Sequence, residues 1–397
     1  MTDSPPRILQ VFNEYIEKGG EESSVNRIFS TLQGRGNITQ CRFASEDWMG
    51  PRPMSAAQQA LRMVYNPVSI RKIRQLDAEH RPDVWLLHNV FPVGSAGIFR
   101  EAMRRGVPTV YYIHNFRPFS VNGYLWAKDR VETAGLRRNF WPEIRAGAWQ
   151  NSALKTFWYA MILQGLHASG AYRRMHAWIA ISDFMRDVFI EAGVEPDKIH
   201  TIRHSWDPLP SPPAAQDDGH YLFLGRLAPM KGVFTLFETW EILEQELGDA
   251  CPPLVIGGDG PLKNEVLSLV GRSKRVKYAG RVTGMTKSEL ITGCRAMLAP
   301  SVWWEPLGLV TYEAYDYSKP MLAARSGGLT ETVLHGETGF LHEPGNAREL
   351  ANHILHLEQH PESRPAMGCR GRSWLLENTS ESNWIDQFLT VIQSVLS

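Results

Sequence analysis

Tyr221-Leu222-Phe223-Leu224-Gly225-Arg226-Leu227-Ala228-Pro229-Met230-Lys231-Gly232 reads as a buried strand, a loop and the entrance to a helix. The apolar run 221–224 has the length of an interior strand, and the glycines and proline that follow break it where the chain must turn. Two cations stand on the loop. Arg226 offers a planar fork and Lys231 a point charge, which together suit a diphosphate, although surface loops also carry solvated cations.

The same unit recurs along the chain. Apolar runs at 254–256, 276–278, 296–298 and 320–323 follow it, and runs at 8–12, 84–88, 109–113 and 178–181 precede it, all separated by helix-length segments. Short branched strands alternating with helices are the mark of parallel sheets covered on both faces, so the class is α/β. Between 207 and 220 the composition shifts to Pro, Ser, Ala and Asp without apolar periodicity, as at a domain boundary. With 397 residues there is chain for two cores, an N-terminal domain over 1–207 and a second over 208–380. Open sheets of this type bind ligands beyond their strand C-termini, and two facing sheets would place the ligand in a central cleft.

Totals exclude several classes. The 42 basic and 42 acidic residues cancel, so the cationic footprint of a nucleic-acid binder is missing. Cys41, Cys251, Cys294 and Cys369 lie far apart, with neither zinc-site spacing nor disulfide density, which fits buried thiols in a reducing cytoplasm. The N-terminus has no signal-peptide pattern, and no run of about 20 apolar residues suggests a membrane span. The segment 136–174 is rich in Trp, Phe, Met, Arg and Lys. It reads either as helices packing on the first domain or as an amphipathic element at a membrane surface, with Gly147, Gly165 and Gly170 interrupting a long stripe.

The most informative stretch is Trp303-Trp304-Glu305-Pro306-Leu307-Gly308-Leu309-Val310-Thr311-Tyr312-Glu313-Ala314. A helix starting near Leu307 would leave Glu305 in the loop at its N-terminus and Glu313 about two turns further in, both able to face one ligand. One carboxylate can take sugar hydroxyls and the other ribose, while the amides of Leu307, Gly308 and Leu309 turn their partial positive charge to an anion. Near the start of the chain, Gly19-Gly20 leads into a helical pattern at Val25, Ile28, Phe29 and Leu32, and its amides can hold a phosphate, or simply make the turn.

The stretch 303–314 resembles the paired-glutamate motif of glycosyltransferase family 4, whose fold is called GT-B: two Rossmann-like, doubly wound parallel-sheet domains facing a central cleft. Gly19-Gly20, Arg226 with Lys231, Gly258-Asp259-Gly260-Pro261 and Gly327-Gly328-Leu329-Thr330-Glu331 occur in the family's order, so the resemblance spans nearly the whole chain. It implies that Arg226 and Lys231 hold the diphosphate, Glu313 the ribose, and Glu305 with the amides of Leu307, Gly308 and Leu309 the donor sugar. Gly19 and Gly20 would let the first domain approach the phosphates. His114 matches a histidine that faces the reacting sugar, with His88-Asn89 lining the same cleft, although a strand-end histidine is also often structural. Gly258 and Gly260 would turn beside the base, and Gly328 with Glu331 would shape a helix start near the phosphate. A terminal helix over 381–397 would cross back to the first domain.

Two departures stand out: Pro306 replaces a common aromatic residue and supplies no N–H, and His204-Ser205-Trp206-Asp207 replaces an Asn-Gly-Val-Asp-like turn. The expected function is retaining transfer of a sugar from a nucleotide diphosphate sugar to a saccharide or lipid-linked saccharide, with no cofactor and no metal, in polysaccharide or glycoconjugate synthesis. Contact of Phe157 and Trp158 with a lipid carrier would make the enzyme peripheral at the cytoplasmic membrane face. A nucleotide-sugar epimerase and a catalytically silent scaffold are the alternatives.

Overall fold

The structure is a computed structural model describing residues 5–16, 19–34, 36, 38–51, 53–213 and 217–397. Glu17 and Lys18 at the head of the glycine turn, residues 214–216 of the linker, and residues 1–4 lie outside the described residues. The chain divides into two compact units. One holds Met1–Ala127, Glu132–His204 and Glu381–Ser397, the other Lys128–Val131 and Ser205–Ser380.

The first unit is built on six parallel strands in the order Ile38–Ala44, Ile8–Glu14, Val84–Leu87, Thr109–Ile113, Ala177–Ala180, Ile199–Thr201. Helices such as Gly20–Gln33 and Pro67–His80 make the crossovers that parallel pairing requires. Ile8–Glu14 is buried along six of its seven residues, including Gln10 and Asn13. Each of these has its partners: Gln10 Nε2 donates to the Val25 carbonyl at 3.1 Å, and Asn13 donates to Ser45 Oγ at 2.9 Å while accepting from the Val93 amide at 3.1 Å.

The helix Glu381–Leu396 belongs to this unit. Trp384, Ile385, Phe388, Val391 and Ile392 form one buried stripe at helical spacing. Trp384 Nε1 donates to Tyr112 Oη at 3.1 Å, and Thr31 Oγ1 donates to Glu381 at 2.9 Å.

The second sheet runs Val276–Gly280, Leu254–Gly257, His220–Leu224, Cys294–Ala299, Met321–Ala324, Gly339–His342, all parallel. Residues 206–209 are tied into this unit through Asp316, which accepts from Trp206 Nε1 at 3.0 Å and from the Leu209 amide at 2.9 Å. Ile38–Ala44, Ile199–Thr201 and Gly339–His342 are absent from the sequence reading, and all three are edge strands, where one flank is uncovered and the apolar run is diluted. Cys41, Cys251 and Cys294 are buried, but Cys369 is exposed, contrary to the reading of all four thiols as interior.

Replacing Trp384 by alanine removes a fully packed indole and the bond it donates to the Tyr112 hydroxyl, which keeps its own bond to the Ile202 carbonyl at 3.2 Å. The expected loss is about 3–5 kcal/mol of first-unit stability, read from urea unfolding. A loss below about 1 kcal/mol would show that the helix does not hold this unit together.

Candidate functional site

In the second unit the strand His220–Leu224 sits between Leu254–Gly257 and Cys294–Ala299, so the chain winds outward one way and then the other. Such a reversal opens a crevice at the strand C-termini, where doubly wound sheets take their ligands. Loops from both sides of the reversal meet there.

Gly258, with φ of +144°, lies against the loop after His220–Leu224 so closely that a Cβ would stand 1.8 Å from the Gly225 carbonyl oxygen. Gly225 and Leu227 donate their amides to Gly257 and Asp259 at 3.1 and 2.9 Å. The Gly258–Gly260 turn therefore fixes the backbone on which Arg226 is carried exposed. On the other side, Val302 donates its amide to the Met230 carbonyl at 2.9 Å, joining the loop of Lys231 to the loop of Glu305. Lys231 Nζ then donates to Glu305 Oε1 at 2.5 Å and lies 5.0 Å from the centre of the Trp303 ring. The same Glu305 oxygen accepts from Ser301 Oγ at 2.7 Å and Trp303 Nε1 at 2.9 Å. Two residues expected to hold different parts of a ligand are thus one buried-edge ion pair.

The helix after this loop is Val310–Asp316, three residues later than the start expected near Leu307. Gly308 takes φ of +86°, which is left-handed and cannot continue a helix backward, and Leu309 becomes the cap. The amides of Leu307, Gly308 and Leu309 therefore belong to a loop and its cap, not to a first helical turn. Gly327 and Gly328 close over Glu305: a Cβ on Gly327 would lie 2.2 Å from the Glu305 carbonyl oxygen, which accepts the Gly328 amide at 2.7 Å. Glu331 lies in the short helix Leu329–Thr332 that follows. Glu313 is half-buried and accepts from Lys287 Nζ at 2.7 Å. Lys287, Ser301 and the indole of Trp303 were given no role by the sequence. Lys287 stands in a helix with no motif, and the other two bond to Glu305, a partnership that the sequence does not show.

In the first unit, Gly19 precedes the helix Gly20–Gln33 and its amide donates to the Glu22 carboxylate at 2.7 Å, so this donor is already taken by a side chain. Glu21 accepts from Asn115 Nδ2 at 2.9 Å. Burial raises its carboxyl to about 7, against the pull of Arg117. Arg117 itself is buried among Tyr15, Trp149 and Tyr159 and was not singled out by the sequence.

His114 follows Thr109–Ile113 and is buried in a ladder of imidazoles. Gln10 Nε2 contacts His88 Nε2 at 3.0 Å, His88 Nδ1 contacts His114 Nε2 at 2.8 Å, and His114 Nδ1 contacts His204 Nε2 at 3.3 Å. Because the Gln10 nitrogen is a donor, each ring must accept at Nε2 and donate at Nδ1, and the tautomers are set in series. Both ring nitrogens of His114 are thereby used inside the unit. Asn89 donates to Tyr15 Oη and to the Phe91 carbonyl. Among the described residues, no three His, Cys, Asp or Glu side chains come together as a metal site.

Burial pushes His88 and His204 down to about 3 and His114 well below its ordinary value. The unfolded chain takes up these protons near 6.5 whereas the folded chain refuses them, so their contribution is intact above pH 6.5 and is lost as pH falls towards 3. Unfolding free energies from urea titrations across that window should decline by up to about 1.4 kcal/mol per pH unit for each histidine. A flat profile would mean that the ladder protonates in the folded state.

Residues 51–208 match the family profile Glycosyltransferase Family 4, and residues 209–374 match Glycosyl transferases group 1. Over 146 residues, 36% of the chain, it is 29% identical to the N-acetyl-alpha-D-glucosaminyl L-malate synthase of Bacillus anthracis. Over 165 residues, 39% of the chain, it is 30% identical to the GDP-mannose-dependent alpha-(1-6)-phosphatidylinositol monomannoside mannosyltransferase of Mycolicibacterium smegmatis. The chain spans less than half the length of either relative, 38% and 42%. Among solved structures it resembles Anabaena HepE crystallised with UDP-glucose, with a TM-score of 0.68 and 19% identity over 98% of this chain and all of that one. With two abutting family matches and both sheets doubly wound, the chain belongs to the group 1, family 4 glycosyltransferases and has the GT-B fold.

Proposed function

We propose that this chain transfers a sugar from a nucleotide diphosphate sugar to a saccharide or lipid-linked saccharide hydroxyl, with retention of configuration and without a metal or cofactor. The observation that carries the reading is the ion pair of Lys231 with Glu305 at the strand reversal of the second sheet, with Arg226 exposed on the loop that leads to Lys231. Relatives named for a GDP-mannose donor, and a fold neighbour crystallised with UDP-glucose, support a nucleotide-sugar donor while leaving base and sugar open. The monomannoside mannosyltransferase supports a lipid-linked acceptor, and the malate synthase a small one.

Departure of a nucleoside diphosphate builds negative charge on its leaving oxygen. Arg226 and Lys231, fixed by the interlocked loops, stabilise that charge more in the transition state than in the ground state. Lys231 is held by Glu305, so an arriving diphosphate can draw the ammonium towards itself and release the carboxylate to sugar hydroxyls. Glu313 takes the ribose, as the paired-glutamate motif implies. The transition state is oxocarbenium-like. The acceptor oxygen bonds to the anomeric carbon as the phosphate oxygen leaves the same face, and the acceptor proton passes to that phosphate. No protein nucleophile is required, and His114, neutral with both nitrogens engaged, is not the proton carrier. A first unit that supplies the acceptor surface and a second that holds the donor complete the reading.

The test is mass-spectrometric detection of binding and turnover across UDP-, GDP-, ADP- and TDP-sugars with EDTA and with magnesium. Selective turnover, indifferent to EDTA, should fall by about a hundredfold or more in Lys231→Ala and Arg226→Ala, on the scale of a lost transition-state donor. Glu313→Ala should weaken donor binding by about tenfold or more, as for a lost buried hydrogen-bond acceptor. Product formed without any added acceptor, by inversion of a sugar centre, would replace transferase by epimerase. If no sugar nucleotide binds, the scaffold reading stands instead.

A further inference from the structure

The helix Ala153–Ala168 carries apolar side chains on two faces, with Lys155, Thr156, Gln164 and His167 as its polar residues. Tyr159, Ala160, Leu163 and Leu166 face the core, as a packing helix requires. Leu154, Phe157, Trp158 and Met161, spaced i, i+3, i+4, i+7, form a second stripe that faces outward, 37–78% exposed. Trp158 Nε1 donates to the Ala60 carbonyl at 2.9 Å and fastens this helix to Ala56–Val64, whose Leu61 and Val64 are also exposed. Eight of the sixteen large apolar side chains exposed among the described residues fall within 61–68 and 154–161, so this is one concentrated face. The reading of 136–174 as helices packed on the first domain is thus half the account.

The charge around the face is mostly positive, with the exposed Glu46 and Asp47 at its edge on the short helix Glu46–Met49, whose Trp48 carbonyl accepts from Gln59 at 3.4 Å. Residues 53–76 and 144–182 contain eight Lys and Arg and no Asp or Glu, in a chain whose total charge is zero. The nearby Glu101 is buried under Arg74, Arg104 and Arg105. Between the two helices lies a groove of about 360 Å³, lined by Val64, Tyr65, Gly97, Trp158 and Met161, with Arg100 as its charged residue. No helix of the described residues is long and apolar enough to cross a membrane.

We propose that this face lies flat on a bilayer containing anionic lipid. Leu61, Val64, Leu154, Phe157 and Met161 enter the boundary between headgroups and acyl chains, the Trp158 and Tyr65 rings sit at headgroup level, and Arg62, Arg100 and Lys155 meet lipid phosphates. The groove beside Arg100 accepts one acyl chain of the same bilayer. An apolar stripe with an excess of cations around it matches such a surface better than it matches a second copy of itself, because two copies would bring like charges together.

The test is flotation of the full-length chain with large unilamellar vesicles of phosphatidylcholine alone and of phosphatidylcholine mixed with phosphatidylglycerol. Binding should require phosphatidylglycerol, weaken as salt rises, and shift tryptophan emission to shorter wavelength. The double variant Leu61→Glu with Leu154→Glu changes two side chains that are 68% and 78% exposed, so its thermal unfolding should match the parent. Its partition should fall at least about tenfold. No flotation with either vesicle overturns the proposal, as does equal flotation of parent and variant. A dimer in sedimentation that the double variant dissolves, without vesicle binding, would make the face a joint between copies and also overturn it. Vesicle binding is read without sugar nucleotide, so its outcome is independent of the donor assignment.

Discussion

The contact between the Lys231 ammonium and the Glu305 carboxylate spans the point at which the second sheet reverses its winding. One residue arrives after the first strand of that sheet and the other after the fourth in chain order, and strand geometry alone does not bring loops so far apart in sequence into hydrogen-bonding distance. Backbone does the preliminary work. Val302 bonds to Met230, Gly328 to Glu305, and Gly225 with Leu227 to the turn at 257–259, so that side-chain charges are presented by a rigid frame. Opening that frame would cost several backbone hydrogen bonds; moving the ammonium by the length of a phosphate–carboxylate exchange costs none.

This division explains why the glycines and the charges recur together. Gly258, Gly260, Gly327 and Gly328 each pass a neighbouring backbone at a distance that leaves no room for a Cβ, and three of them hold positive φ. Their function is approach rather than flexibility. A methyl group at any of them would push apart loops whose spacing sets where Arg226, Lys231 and Glu305 stand.

The α/β class and nine of the twelve parallel strands were legible in the sequence, because the eight interior strands are continuous apolar runs that read as burial on both faces and the edge strand Val276–Gly280 alternates in burial after its buried first residue. Ile38–Ala44, with a partly exposed alternation, Ile199–Thr201, with three residues, and Gly339–His342 lacked that signal. The candidate site was legible as residue types on loops, since Arg, Lys, Glu and Gly at strand ends follow from the chain. Partners were not. That Glu305 would hold Lys231, that Lys287 would hold Glu313, and that His114 would spend both nitrogens on His88 and His204 depends on contacts between residues 26 to 90 positions apart. The start of the helix at Val310 was misplaced for a local reason, the left-handed Gly308, which a helical pattern in the flanking residues concealed.

The two units spend their polar residues differently. In the second, charged side chains reach the rim of the sheet and stay partly exposed, where a soluble anion can find them. In the first, the polar residues at the strand ends are withdrawn: His88, His114 and His204 are neutral and mutually bonded, Glu21 is raised towards neutrality, and Arg117 is enclosed by aromatic rings. Burying charge in this way is costly unless each group is paired or neutralised, so the arrangement favours a stiff, largely uncharged floor. Part of the first unit's positive charge, Arg62 and Lys155 among it, lies instead on Ala56–Val64 and Ala153–Ala168, away from these buried groups.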